Sequence, residues 1–160
     1  MAKIILHTKI NAPIERCFLL SLSVDLHKNS TSQTNEKIIA GVSSGLVKLN
    51  DVITWEAKHL GFVQHFTSKI TAYEKPNYFT DEMQKGAFKK FHHLHSFKKD
   101  SEGCIMTDEL EIEAPLGILG KIAMALVVKS HMEKFLIQRN EFIKQIAEGD
   151  NWKKYIPENL

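Results

Sequence analysis

The stretch "DVITWEAKHLGFVQHFTSKITAY", residues 51 to 73, alternates with a period of two through two runs that turn at Leu60-Gly61. Alternation of this kind marks antiparallel strands with one wet face and one covered face. A turn at 60 and 61 pairs Trp55 with Phe66 and Ile53 with Ser68, and it gathers Ile53, Trp55, Ala57, His59, Phe62, Gln64, Phe66, Ser68 and Ile70 on one side. Thr54, Glu56, Lys58, Val63, His65, Thr67 and Lys69 fall on the other. A one-residue slip would invert both faces, so the pattern holds its register and demands a core or a cavity under one side.

The same period runs through "FHHLHSF", where Phe91, His93, His95 and Phe97 share a face against His92, Leu94 and Ser96. In "CIMTDELEIEAP", Cys104, Met106, Asp108, Leu110 and Ile112 alternate with Ile105, Thr107, Glu109, Glu111 and Glu113. Asp108 is therefore an acid on an apolar face, which is costly unless it is paired. A hairpin with a four-residue loop, 99 to 102, sets His95 opposite Met106 and His93 opposite Asp108. Any even change of loop length keeps the face and slides the partner to His95.

Before these strands, "KIILHTKINAP" puts Ile4, Leu6, Thr8 and Ile10 on one side of a half-buried strand, with Pro13 placed to begin a helix. "PIERCFLLSLSVDLHKN" carries Ile14, Cys17, Phe18, Leu22 and Leu26 at helical spacing, with a break at Ser21 or Ser23. After them, from Leu116 to about Glu148, the period becomes helical between Pro115 and Gly149. Val128, Met132, Phe135, Arg139, Phe142 and Ile146 form one stripe, while "ILGKIAMALVV" is apolar nearly all round. One strand, two short helices, about six antiparallel strands and one long helix give an α+β helix-grip fold. A curved sheet of six or seven strands then wraps a long carboxy-terminal helix. A single domain is expected over residues 1 to 148, with 149 to 160 as a tail.

Charge narrows the function classes. Twenty-one Lys and Arg stand against 19 Asp and Glu, and the basic pairs are scattered rather than striped, which argues against nucleic acid. Two cysteines make no disulfide framework, and the apolar start is too short for a signal sequence, so a reducing cytoplasm is expected. No run of about 18 apolar residues exists to span a membrane. Gly-rich phosphate loops, nucleophile elbows and zinc-finger spacings are also lacking, so no cofactor is expected.

The segments "VITWEAKHLGF", "KITAYEKPNYFTDEMQKGAFKKFHHLHSF", "CIMTDELEIEAPLGILG" and "FLIQRNEFIKQI" resemble a small prokaryotic branch of the SRPBCC superfamily, which includes START lipid-binding domains, polyketide cyclases and the birch-pollen allergen class. The resemblance spans about residues 3 to 148. It implies a deep cavity between sheet and helix that holds an apolar small molecule.

Trp55, His59, Gln64, Phe66, Phe91, His93, His95, Phe97, Met106, Asp108 and Leu110 of the sheet, with Val128, Met132, Phe135 and Arg139 of the helix, are the candidate ligand-binding residues. Large apolar groups interrupted by a few polar ones suit a pocket better than a sealed core. Glu82 and Gln84 are further candidates whose face depends on the turn at Gly86-Ala87. His93, His95 and Asp108 are the catalytic candidates, since a His–Asp pair in an apolar cleft can move a proton in a cyclase or dehydratase. A buried hydrogen-bonded network that merely closes the wall is the plainer alternative. No metal is expected: two imidazoles and one carboxylate on a face lack a fourth ligand. A third reading is an interaction module docking through residues 118 to 128.

Overall fold

The computed structural model describes residues 1–32, 36–59, 61–115 and 127–157, except for the side chain of His59. Strand β1 (Ala2–Ile10) leads into helices α1 (Ile14–Ser21) and α2 (Val24–Ser30). Then come strands β2 (Lys37–Gly41), β3 (Val52–His59), β4 (Phe62–Glu74), β5 (Tyr78–Lys85), β6 (Lys90–Asp100) and β7 (Gly103–Glu113), followed by helix α3 (Lys129–Glu148) and a short 3-10 turn (Asn151–Lys154). The strands form one antiparallel sheet in the order β1-β7-β6-β5-β4-β3-β2. Each strand from β2 to β7 pairs with its neighbour in sequence, and β1 closes on β7.

Local chemistry accounts for the joints. Pro13 stands immediately before α1 with extended ψ rather than within it, one residue earlier than expected. Ser23 separates the short helices, and its hydroxyl caps α2 by accepting from the Leu26 N–H at 3.3 Å. The β3–β4 hairpin has the anticipated register, with Trp55 opposite Phe66 and Ile53 opposite Ser68. Gly61, at φ +84°, turns it in a conformation that costs glycine little.

The β6–β7 hairpin departs from expectation. Its ladder continues to Asp100 opposite Gly103, so the turn is two residues long, and His95 faces Asp108 while His93 faces Leu110 and Phe97 faces Met106. The register moves by two, so every face is preserved. Tight closure is possible because Gly103 packs its bare Cα against the backbone of Ile10 and Ala12.

Helix α3 lies on the concave face. Its most buried side chains are Leu136, Asn140, Ile143 and Ala147, together with Met132, Phe135 and Arg139. Phe142 and Ile146, expected on the central stripe, are only half-buried at its margin. The stripe is broader than one residue per turn because β1 and the short helices α1 and α2 all pack against the helix. Residues 149–157, expected to be a tail, pack against the domain: Ile156 is 7% exposed, and the Arg16 guanidinium sits 4.4 Å over the Trp152 ring. Among the described residues no helix is long and apolar enough to cross a membrane. The apolar segment 118–128 lies outside the described residues except for its last two, Val127 and Val128.

Two apolar clusters hold the layers together. One joins Phe18, Leu20, Leu26, Phe79, Phe97, Met106 and Ile143 beneath α1 and α2. The other joins Ile4, Leu110, Ile112, Met132, Phe135 and Leu136. Burying one such side chain is worth about 1.5–3 kcal/mol, which is why these clusters rather than surface ion pairs hold the helix in the sheet.

Candidate functional site

A cavity of about 390 Å³ opens between the clusters, within the usual range for small-molecule sites. Trp55, Gln64, Phe66, Phe91, His93, His95, Val128, Met132, Phe135 and Arg139 line it, as the alternation and the helical stripe place them. Phe97, Met106, Asp108 and Leu110 do not. They sit in the strand rows nearest β1, where α3 and the short helices close on the sheet and leave no space, and Met106, Asp108 and Leu110 have no exposed surface. Glu82, whose face the turn at Gly86-Ala87 left open, projects from the outer face toward His92, 3.4 Å away, and Gln84 is exposed. The acid of β5 that borders the cavity is Asp81.

Asp108 organises the wall. Its Oδ1 accepts from His93 Nε2 at 2.9 Å, and the Arg139 Nη1 lies 3.4 Å from the same atom. His95 Nδ1 is 2.8 Å away but poorly aligned, leaving that nitrogen without a proper hydrogen bond. Asn140 Nδ2 donates to Oδ2 at 2.7 Å, and Arg139 Nη1 also donates to Asn140 Oδ1 at 3.1 Å. Burial alone would push the Asp108 carboxyl upward, yet the adjacent imidazoles of His93 and His95 outweigh it and hold the group well below the carboxylate range. Burial and the neighbouring His93 push His95 down to about 3, so its ring is neutral. It stacks on Phe79 with ring centroids 4.3 Å apart.

The donor atoms of His93, His95 and Asp108 lie within 4.8 Å of one another, a spacing that can gather round a metal ion. Arg139 opposes that use, since a fixed positive charge already sits against the shared oxygen. What the arrangement can do is hold a neutral imidazole against an ionised carboxylate beside a cavity.

Several lining residues escaped the sequence reading. Ser68 falls on the anticipated face without standing among the candidate site residues. Asp81 lies beyond a β-bulge between Ile70 and Ala72, so counting by twos along β4 and β5 loses its face. At the other end, His27 of α2 stacks on Trp55 at 4.6 Å and bonds Glu36 at 2.8 Å. Asn140 is one residue off the expected stripe and had no signal of its own.

No family model matches the chain, and no curated protein aligns with it significantly. Solved structures do share its architecture. Protein TTHA0849 of Thermus thermophilus is 18% identical with a TM-score of 0.70, over 89% of this chain and 97% of that one. Major latex-like protein 151 of Panax ginseng is 16% identical with a TM-score of 0.67, over 91% and 97%. Ara h 8.0201 is 11% identical with a TM-score of 0.62, over 89% and 97%. The fold these structures share with the chain is the helix-grip fold, an antiparallel sheet curved around a long carboxy-terminal helix.

Proposed function

We propose that the protein binds an apolar small molecule, lipid-like, isoprenoid-like or aromatic, between the sheet and α3. The observation that carries this reading is the cavity itself: large apolar side chains such as Trp55, Phe66, Phe91 and Phe135 line it together with a few buried polar groups. A sealed core rarely takes in so many polar side chains, whereas a pocket uses them to orient a ligand. The two buried, unpaired cysteines suit a reducing cytoplasm as the setting.

Titration with a neutral, environment-sensitive probe tests the reading, beside native mass spectrometry of freshly purified protein. Saturable binding is expected in the wild type and lost in Ala57→Trp, which places an indole in the cavity. A folded wild-type protein that takes up no probe and carries no extractable molecule would sink it.

A second reading has its own support. His95 is neutral, buried and next to an ionised Asp108 at the cavity wall. A value of about 3 makes His95 itself a poor base, but His93, held by Asp108 and also lining the cavity, is placed to move a proton on a bound ketone, as a cyclase or dehydratase requires. Turnover of a bound polyketide-like ketone that disappears in both His93→Ala and His95→Ala would move the function from carriage to catalysis.

A further inference from the structure

The cavity wall holds a second carboxyl, on a half-buried residue, that takes no part in the Asp108 group. Asp81 is paired in the ladder with His93 of β6 and Ile70 of β4, and it borders the cavity. Its Oδ1 is buried without a hydrogen-bond partner, whereas both oxygens of Asp108 receive donors. A carboxylate so placed would leave charge on an unanswered oxygen. A neutral carboxylic acid protonated at Oδ1 carries no charge there and has an O–H to give. Burial, only partly offset by His93 and Ser68, pushes the group upward in the same sense.

The other charges of the wall are already answered. Arg139 is the one arginine among the described lining residues, which include no lysine, and its guanidinium lies against Asp108 and Asn140. Glu36 is bonded to His27 and Thr31, and Asp51 accepts from the Lys48 N–H at 2.7 Å. An anionic ligand would meet the acids Glu36, Asp51 and Asp81 beside four histidines, with no spare lysine or arginine. A cationic one would have to ionise Asp81 and bury both charges.

We infer that the cavity selects a neutral, oxygen-bearing apolar molecule, an alcohol or ketone rather than a carboxylate, and that Asp81 is the group that donates to its oxygen. This rests on the proposed binding of an apolar molecule and assigns its chemical class.

The test displaces phenylnaphthylamine, a neutral probe, from the intact chain at neutral pH with dodecanol, methyl decyl ketone, dodecanoic acid and dodecylamine. Alcohol and ketone should compete better than acid and amine. In Asp81→Leu the ketone-to-probe affinity ratio should fall about tenfold, one good hydrogen bond. Asp81→Asn, whose amide keeps a donor there, should hold the ratio near its wild-type value. Infrared difference spectra of the wild type need no folded Leu variant: a neutral carboxyl stretch should shift when the ketone binds and be missing in Asp81→Asn. Tightest binding by the acid or amine, a ratio untouched in Asp81→Leu, or carboxylate bands alone would overturn this inference and leave the binding reading standing. No saturable uptake of the probe removes both.

Discussion

A carboxylate with no exposed surface must have its charge answered by near neighbours, and Asp108 has His93, His95, Arg139 and Asn140 within reach. Asp108→Ala strips the partner from a buried guanidinium and should cost about 3–5 kcal/mol in denaturant melts. Glu109→Ala, on the outer face and paired with Lys3 at 2.8 Å, should cost about 0.5 kcal/mol. Equal losses would show that the two residues do not face opposite ways. His95 carries a pH signature. Its folded-state value of about 3 lies below the ordinary 6.5, so between those values the unfolded chain binds the extra proton and stability rises with pH. Urea midpoints should therefore fall as pH drops from about 6.5, with Asp108 adding a loss of the same sign below about 3.9, and His95→Gln should flatten the upper part of that slope. Arg139 should also keep the His93–His95–Asp108 group free of metal: elemental analysis after gentle purification is expected to find no stoichiometric zinc, iron or manganese, and metal lost on His93→Ala would contradict this.

At the scale of elements, the β6–β7 hairpin sets the site. Its two-residue turn brings His95 opposite Asp108, and that turn depends on Gly103 lying against the backbone of Ile10 and Ala12 as β1 closes on β7. A methyl group at Gly103 meets backbone that cannot swing aside. Gly103→Ala should destabilise on the order of 3 kcal/mol, while Gly149→Ala, whose nearest neighbour is the Gln145 carbonyl at 3.3 Å, should be much milder. Thermal melts of the two variants make the comparison. Helix α3 completes the site from the other side, because Arg139 and Asn140 are adjacent on its buried face and reach the same carboxylate.

For the whole molecule, the sheet and α3 enclose a cavity of about 390 Å³, a size that suits a small molecule. A ligand that binds the folded state alone adds stability by mass action, about 2.7 kcal/mol at 100 times its dissociation constant. Wild-type melts with methyl decyl ketone at that excess should show an increase of that size, and Ala57→Trp should show none. An equal rise in both would place the ligand outside the cavity.

Alternation by twos was enough to set the faces of β1, β3, β6 and β7, because a side chain in a strand has only two ways to point and one of them is water. The apolar stripe through Met132, Phe135 and Arg139 was enough to identify a long covering helix, and the order of elements made the helix-grip fold readable. Apolar groups crowded with histidines marked the cavity wall, and Asp108 was marked as an acid that needed a partner. What remained hidden depended on distance across the fold. Alternation allowed any hairpin loop of the same parity, and only the pairing of β6 with β7 shows a two-residue turn. Asp81 shares a face with Ile70 and Phe79, but the bulge in β4 broke the count that would have shown it, and the side-to-side position of α3 brought in Asn140 and set Phe142 at the margin. Periodicity fixes which way a residue points, but only packing between elements decides what it meets. The single carboxylate that gathers two strands and a helix is therefore a property of the tertiary structure.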